Sequence, residues 1–357
     1  MPPNKENLAP RPASQPSTGE KRTLDVNPLE LGPRKRPTTS DPLVHHGTHF
    51  RRTVFAFSNM QALLLAGLGM DEDQAPETQQ ERREHRVFRR LLKLVPGLQE
   101  RLGLEDTDAD AVIAIANLLQ KGASSARSDD TKSLKGVIID WITPVDGEPL
   151  RLARNSKVDR GFNNERTGFL LYPAGMDWSD ADTKQQLKDK TIAVPGNYWP
   201  IFVYREEKYD SEDPWKGLFR SRLLVSAYKH VFTSPSSVDD DPKATRSGNA
   251  RIHGMTSVTP ASIAYIATQV RFALSSASVF CRTDKETDSE TFYTSILELF
   301  EDPEEQDEVK DLLAWWNRQI FPSFLNVSRV VPANSALSKI KAKRAAVKAT
   351  SQAGGSN

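Results

Sequence analysis

The stretch "RSGNARIHGMTSVTP" gathers Arg246, Ser247, Asn249, Arg251 and Thr259 just ahead of a long apolar helical pattern. Guanidinium, amide and hydroxyl groups beside a helix start are the components of an anion or phosphate site. The free backbone N–H groups and the helix dipole there favour negative charge. The same residues also have an architectural use. Thr259 can cap the helix and Pro260 can occupy its first position, which accounts for the terminus without a ligand. Trp199 and Trp215, isolated aromatics upstream, could line a cleft beside the loop.

A second cationic grouping lies in "ERREHRVFRRLLKL". At 100° per residue, Arg82, Arg83, Arg86, Arg89, Arg90 and Lys93 share one helical face, and Val87, Phe88, Leu91, Leu92, Leu94 and Val95 share the other. A cationic face of this length can follow nucleic-acid phosphates, each contact adding to the salt dependence of binding. It can equally be a solvated face, or pair with the acidic segment Asp71–Asp73 or another acidic patch of the body. No aromatic residue interleaves with its cations, so single-strand stacking is not indicated.

Other chemistry has little support. His45 and His49 in "HHGTH" are four apart, but two imidazoles without a third ligand make a poor metal site. His230 and His253 are lone histidines. Cys281, the single cysteine, adjoins Arg282, and as a nucleophile it would need His230 or His253 as its base. One cysteine excludes an internal disulfide and a cysteine-based zinc site. The chain contains no phosphate-binding P-loop, no dinucleotide-binding glycine pattern following a strand, no GxSxG elbow and no kinase signature set. No catalytic residues and no cofactor are expected.

These groups must be positioned by a body set between two tails. Residues 1–44 contain nine prolines and no aromatic residue, so they cannot bury enough apolar area to offset chain entropy and should be disordered. Two basic clusters in this tail, Lys21-Arg22 and Arg34-Lys35-Arg36, are eleven residues apart. That spacing resembles a bipartite nuclear-import signal, which makes the import receptor an expected partner and the nucleus the expected location, the cytoplasm otherwise. Residues 325–357 carry six Lys/Arg and no acid, and form a second disordered basic tail. The overall charge is +1, so residues 45–324 are net acidic, which argues against nucleic-acid binding over the whole surface but leaves local patches open. The N-terminus "MPPNKENLAPRP" lacks an apolar core, so no secretory signal is expected, and no apolar run is long enough for a membrane helix.

The body reads as mainly α: a single helical unit over 45–324, with an irregular middle segment at about 145–209 able to hold a small β element. "HFRRTVFAFSNMQALLLAGLG" reads as one helix ending at Gly67 or Gly69. The basic helix should stop near Val95, before Pro96. "DTDADAVIAIANLLQKG" reads as a helix ending at Gly122, followed by a separate one capped by Asp129 or Asp130 and ending before Pro144. "TGFLLYPAG" and "WPIFVY" read as strands or buried extended segments, with a short helix in "DWSDADTKQQLKDK" between them. Later helices should open at Asp213-Pro214, Thr259-Pro260, Asp288 or Ser289, and Asp302-Pro303. In the Thr259 helix, Ile263, Ile266, Ala267, Val270 and Leu274 face one side and Tyr265 and Phe272 the other. A helix apolar on two sides is buried among others, and Gln269 and Arg271 must then find partners inside.

Four long motifs, "ARSDDTKSLKGVIIDWITP", "RGFNNERTGFLLYPAGMDW", "EDPWKGLFRSRLLVSAYKHVFTSPSS" and "TRSGNARIHGMTSVTPASIAYIATQVRFALSSASVF", resemble an uncharacterised, multi-copy protein family of mushroom-forming fungi. The resemblance covers roughly 45–324 and implies one body spanning both halves. It brings no activity or site residues with it. Three functional readings stand. The first is a non-enzymatic nuclear protein that binds DNA, RNA or chromatin. The second is a small-anion binder or enzyme using the loop 246–259. The third is a protein-interaction module without nucleic acid.

Overall fold

The computed structural model describes residues 41–70, 78–103, 109–144, 148–238, 248–283 and 288–322, with short helical pieces at 338–340 and 342–344. Helix α1, Pro42–Thr53, begins ahead of His45, because Asp41 caps it by accepting from the Leu43 N–H and Pro42 occupies its first turn. The helix expected to run on to Gly69 is broken. Phe55, Ala56 and Phe57 turn inward, and Asn59 caps a new helix α2, Met60–Leu68, by accepting from Gln61 and Ala62 N–H. Helix α3, Gln79–Leu94, opens on a reciprocal Thr78–Glu81 capping box and ends at Val95, as Pro96 requires. The short α4, Leu98–Leu102, follows.

Helix α5 runs unbroken from Ala109 to Ile142 and is the organising element. Its 34 residues span roughly 51 Å at 1.5 Å each. Gly122 is therefore not a helix end, nor are Asp129 and Asp130 caps. A side chain at Gly122 would strike the Val44 carbonyl oxygen at 1.9 Å, and one at Gly47 would strike that of Leu119 at 2.0 Å. The two glycines let α1 and α5 touch backbone to backbone, and Thr48 Oγ1 donates across the crossing to the Gly122 carbonyl at 3.2 Å.

The middle segment contains no strand among its described residues. "TGFLLYPAG" supplies α6, Glu165–Leu171, and "WPIFVY" a single 3-10 turn, Ile201–Val203, while α7 is Ala181–Lys188. The β element amounts to isolated bridges, Pro173 to Pro200 and Tyr204 to Leu218. The second of these displaces the helix start expected at Asp213. Arg205 N–H donates to the Gly217 carbonyl at 2.8 Å, so residues 213–219 form turns, and α8, Arg222–Tyr228, starts later under a Ser221 cap. A π-helical turn, Lys229–Thr233, extends α8, and the brief α9 is Asn249–Ile252.

Helix α10, Pro260–Leu274, is buried along its whole length except Pro260. Thr259 and Ser262 form its capping box. Helix α11, Ser289–Glu301, starts where expected, and α12, Gln306–Ile320, follows a 3-10 turn opened by Asp302-Pro303. Two apolar cores result. The first, from Leu43 to Ala123, joins α1 to α4 with the N-terminal half of α5. The second surrounds α10 with the C-terminal half of α5 and with α6, α8, α9, α11 and α12, and takes in Ala56 and Phe57. Arg51, Arg52, Asp130 and Tyr265 lie where α1, α5 and α10 meet.

Candidate functional site

The basic face expected on α3 forms, and it divides. Arg83 lies toward the C-terminal part of the body, with its guanidinium 3.5 Å from both Glu298 and Glu301 of α11, and Arg86 reaches Glu301 at 2.6 Å. Arg82 is exposed and engaged in a contact of its own. Arg89, Arg90 and Lys93 are exposed and form no ion pair among the described residues. The acids that neutralise part of the face come from an element more than 200 residues away in sequence. Asp71–Asp73 lie outside the described residues, as do Lys21, Arg22, Arg34, Lys35 and Arg36 of the tail.

The loop before α10 does not assemble an anion cradle from its described members. Arg246 and Ser247 lie outside the described residues. Asn249 directs its Nδ2 to the Val231 carbonyl at 2.5 Å. Thr259 Oγ1 accepts from Ser262 N–H at 3.2 Å and donates to the Thr53 carbonyl at 2.9 Å, so it caps α10 and ties it to α1. Arg251 alone points outward, exposed on a four-residue helix. Trp199 donates to Ser295 at 3.0 Å and Trp215 to Glu305 at 2.7 Å, so both anchor the second core to the C-terminal helices.

His49 does not align with His45 on a metal. It stacks on His253, with ring centroids 4.4 Å apart and planes within 10°. Burial lowers both, His49 to about 3 and His253 to about 4, with neighbouring histidine and Arg52 charges adding to the effect. Among the described residues no cluster of three or more His, Cys, Asp or Glu is arranged for a metal. His230 Nε2 shares a short hydrogen bond with Ser133 Oγ, and burial lowers its pKa against a smaller opposing pull from Asp130. Serine, histidine and aspartate thus lie together without the roles of a triad. Asp130 accepts from Arg52 and Tyr265, and no hydrogen bond joins it to His230, so the aspartate does not orient the imidazole. Arg282, next to Cys281 in the chain, forms a two-pronged pair with Glu290.

The α1–α5–α10 junction has a composition that sequence reasoning misses. Asp130, 5 % exposed, accepts from Arg52 Nε and Nη2, each at 2.7 Å, and from the Tyr265 hydroxyl at 2.7 Å. Burial and the Asp130 charge raise Tyr265 well above its ordinary value. Burial works to lower Arg52, but the Asp130 charge and hydrogen bonds outweigh it and hold the cation on. Arg51 beside it is 6 % exposed, and its Nε has no hydrogen-bond partner among the described residues. Burial lowers its pKa, and the charges of Arg127 and Arg282 add to that. A signal for this cluster is present in the spacing: Asp130 falls on the same α5 face as Ala123, Ala126 and Leu134, all buried. An acid on an apolar face needs a buried cation.

Residues 121–321, more than half of the chain, match a family of unknown function, DUF6698. The chain belongs to this family. No curated protein and no solved structure matches it. The DUF6698 span begins within α5, one residue before the Gly122 crossing, and covers nearly all of the second core. It contains Asp130, Tyr265, Ser133, His230 and the loop before α10. The α3 face, Arg51 and Arg52 lie outside it.

Proposed function

We propose that this DUF6698 protein is a non-enzymatic binder of nucleic acid, engaging phosphates through the outer edge of α3. The observation that carries this reading is the exposure of Arg89, Arg90 and Lys93 without acidic partners among the described residues, on a body that is otherwise net acidic. Positions 86, 89, 90 and 93 recur at helical three- and four-residue spacing. The stripe from 86 to 93 therefore extends roughly 10 Å, enough to meet successive phosphates of one strand. Contacts of this kind bind backbone and carry little sequence information. The internal pairing of Arg83 and Arg86 limits the interface to one edge, so the binding is modest and salt-sensitive.

Mobility-shift titrations of the full chain across a salt series test the reading. R89E/R90E/K93E should abolish binding at moderate salt and flatten the slope of log K against log salt by up to about 3, at roughly 0.9 for each phosphate no longer neutralised. Absence of binding at low salt, or a triple variant that binds like the parent, would overturn it. The protein-interaction module would then be favoured, and captured partners would persist after nuclease treatment. Nuclear location and an origin in mushroom-forming fungi belong to the same proposal, supported by the tail clusters and the four sequence motifs. A reporter fused to residues 1–44 should enter the nucleus, and a cytoplasmic reporter would count against import through this tail.

A further inference from the structure

Arg51 on α1 is buried, yet no acid or carbonyl among the described residues receives its guanidinium. Its Nε is enclosed without a partner. The two terminal nitrogens, which are not enclosed, form no hydrogen bond there either. Burying a cation without a counter-ion is strongly unfavourable, so an anion is expected beside it. Burial lowers the Arg51 pKa, and the charges of Arg127 on α5 and of Arg282 lower it further, so the three guanidinium groups lie near one another. Aromatic rings fix two of them. Arg127 sits over the Phe280 ring at 5.6 Å and Arg282 over the Phe57 ring at 5.9 Å, and these two rings stack on each other with centroids 6.3 Å apart. A cation–π contact holds a guanidinium in place without neutralising it. Arg282 also pairs with Glu290, whereas neither Arg51 nor Arg127 forms an ion pair among the described residues.

Beside this cluster a cleft of about 340 Å³ opens between the start of α2 and α5, with Arg282 in its wall. Its size lies within the usual range for a small-molecule site. Ser58, Asn59, Gln61, Asn117 and Gln120 line it with hydroxyl and amide groups, and none of its described lining residues is acidic. Asn117 and Gln120 share one face of α5. Gln120 Nε2 lies 3.4 Å from Ser124 Oγ, and Arg127 follows on the same face, so the cleft leads along α5 toward the uncompensated arginines. Neutral hydrogen-bonding groups at one end and guanidinium groups at the other match a hydroxylated body that carries a phosphate.

We infer that this cleft binds a small phosphate ester with a hydroxylated body, its phosphate held by Arg51 and Arg127 with Arg282 at the edge. The site is separate from the α3 edge and independent of nucleic-acid binding. Calorimetric titration of the full chain with ribose 5-phosphate at fixed ionic strength tests it, with ribose and inorganic phosphate as the two partial ligands. Ribose 5-phosphate should bind at least about tenfold more tightly than either, and Arg127→Gln should weaken it about tenfold. Arg51→Met should abolish binding. Without ligand it should melt no lower than the parent, because it removes a buried charge that nothing offsets. R89E/R90E/K93E should bind ribose 5-phosphate like the parent. Absence of binding, equal affinity for ribose or inorganic phosphate, or unchanged binding in Arg51→Met or Arg127→Gln would overturn the inference. So would loss of binding in the triple variant, or a lower Tm for ligand-free Arg51→Met, which would show that the guanidinium is already compensated within the fold.

Discussion

His49 and His253 stack face to face at 4.4 Å beside the Arg52 guanidinium, so a proton on either ring meets burial and nearby positive charge at once. Both are held well below their ordinary value of 6.5 in the folded chain, to about 3 and about 4. Below pH 6.5 the unfolded chain therefore takes up protons that the folded chain refuses. The stabilisation from keeping these rings neutral is complete above about pH 6.5 and is lost as the pH falls toward 4 and then 3. Tm should decline over that interval, and a variant carrying His49→Phe and His253→Phe should show a shallower decline. Thermal melts of both proteins from pH 7 to 4 measure this, and parallel curves would remove the pair from the acid response. The Arg52–Asp130–Tyr265 cluster nearby works differently. Its charges are matched, so its cost would appear only when one partner is removed and the other is left buried, a loss of about 3–5 kcal/mol in comparable sites.

At the level of elements, the α1–α5 crossing depends on two missing side chains. A methyl group at Gly47 or Gly122 would lie about 2 Å from a backbone carbonyl, which cannot rotate away as a side chain would. Gly47→Ala and Gly122→Ala should each destabilise the fold by about 1–3 kcal/mol, the usual range for overpacking. Gly136 lies in the same helix α5 with nothing within 4 Å of the added carbon, so Gly136→Ala should stabilise by about 0.5–1 kcal/mol through helix propensity. Urea melts of the three variants separate the effects. A neutral Gly122→Ala would mean that the crossing does not hold the helices at this distance. Gly122 reads as a helix end in sequence because glycine often ends helices, and a glycine used for close approach leaves the same local signature. Asp129 and Asp130 read as caps for the same reason, since the partner that makes Asp130 an interior residue lies 78 positions away.

For the whole molecule, the DUF6698 span begins at Lys121, partway along α5, and leaves nearly all of the first core outside it. The second core nevertheless draws Ala56 and Phe57 from the N-terminal part, and Asp130 draws Arg52. A fragment of residues 121–322 would leave Asp130 without its cation and cut α5 within the stretch that packs on α1. It should show a lower Tm and weaker cooperativity than residues 41–322, as read by circular dichroism melts. Equal stability would show that the family span folds as an independent unit.

Local rules determine several features of the chain. Helix periodicity and cap residues place α3, α7, α10 and α11, because a capping box, a Pro-preceded terminus and a two-sided apolar pattern are satisfied within a few residues. The arginine face of α3 is legible for the same reason, since helical geometry alone puts those side chains together. Local pattern does not decide which of the arginines stay exposed, because Glu298 and Glu301 approach only once α11 packs. The start of α8 is likewise set by a distant pairing, the bridge of Tyr204 to Leu218, which outweighs the favourable Asp213-Pro214 opening. Thr259 and Pro260 prescribe the beginning of α10 in sequence. Tertiary packing alone directs Thr259 to Thr53 and separates Asn249 from any shared cradle. Capping joins near neighbours in the chain, whereas a binding site is made by residues that only the packed helices bring together.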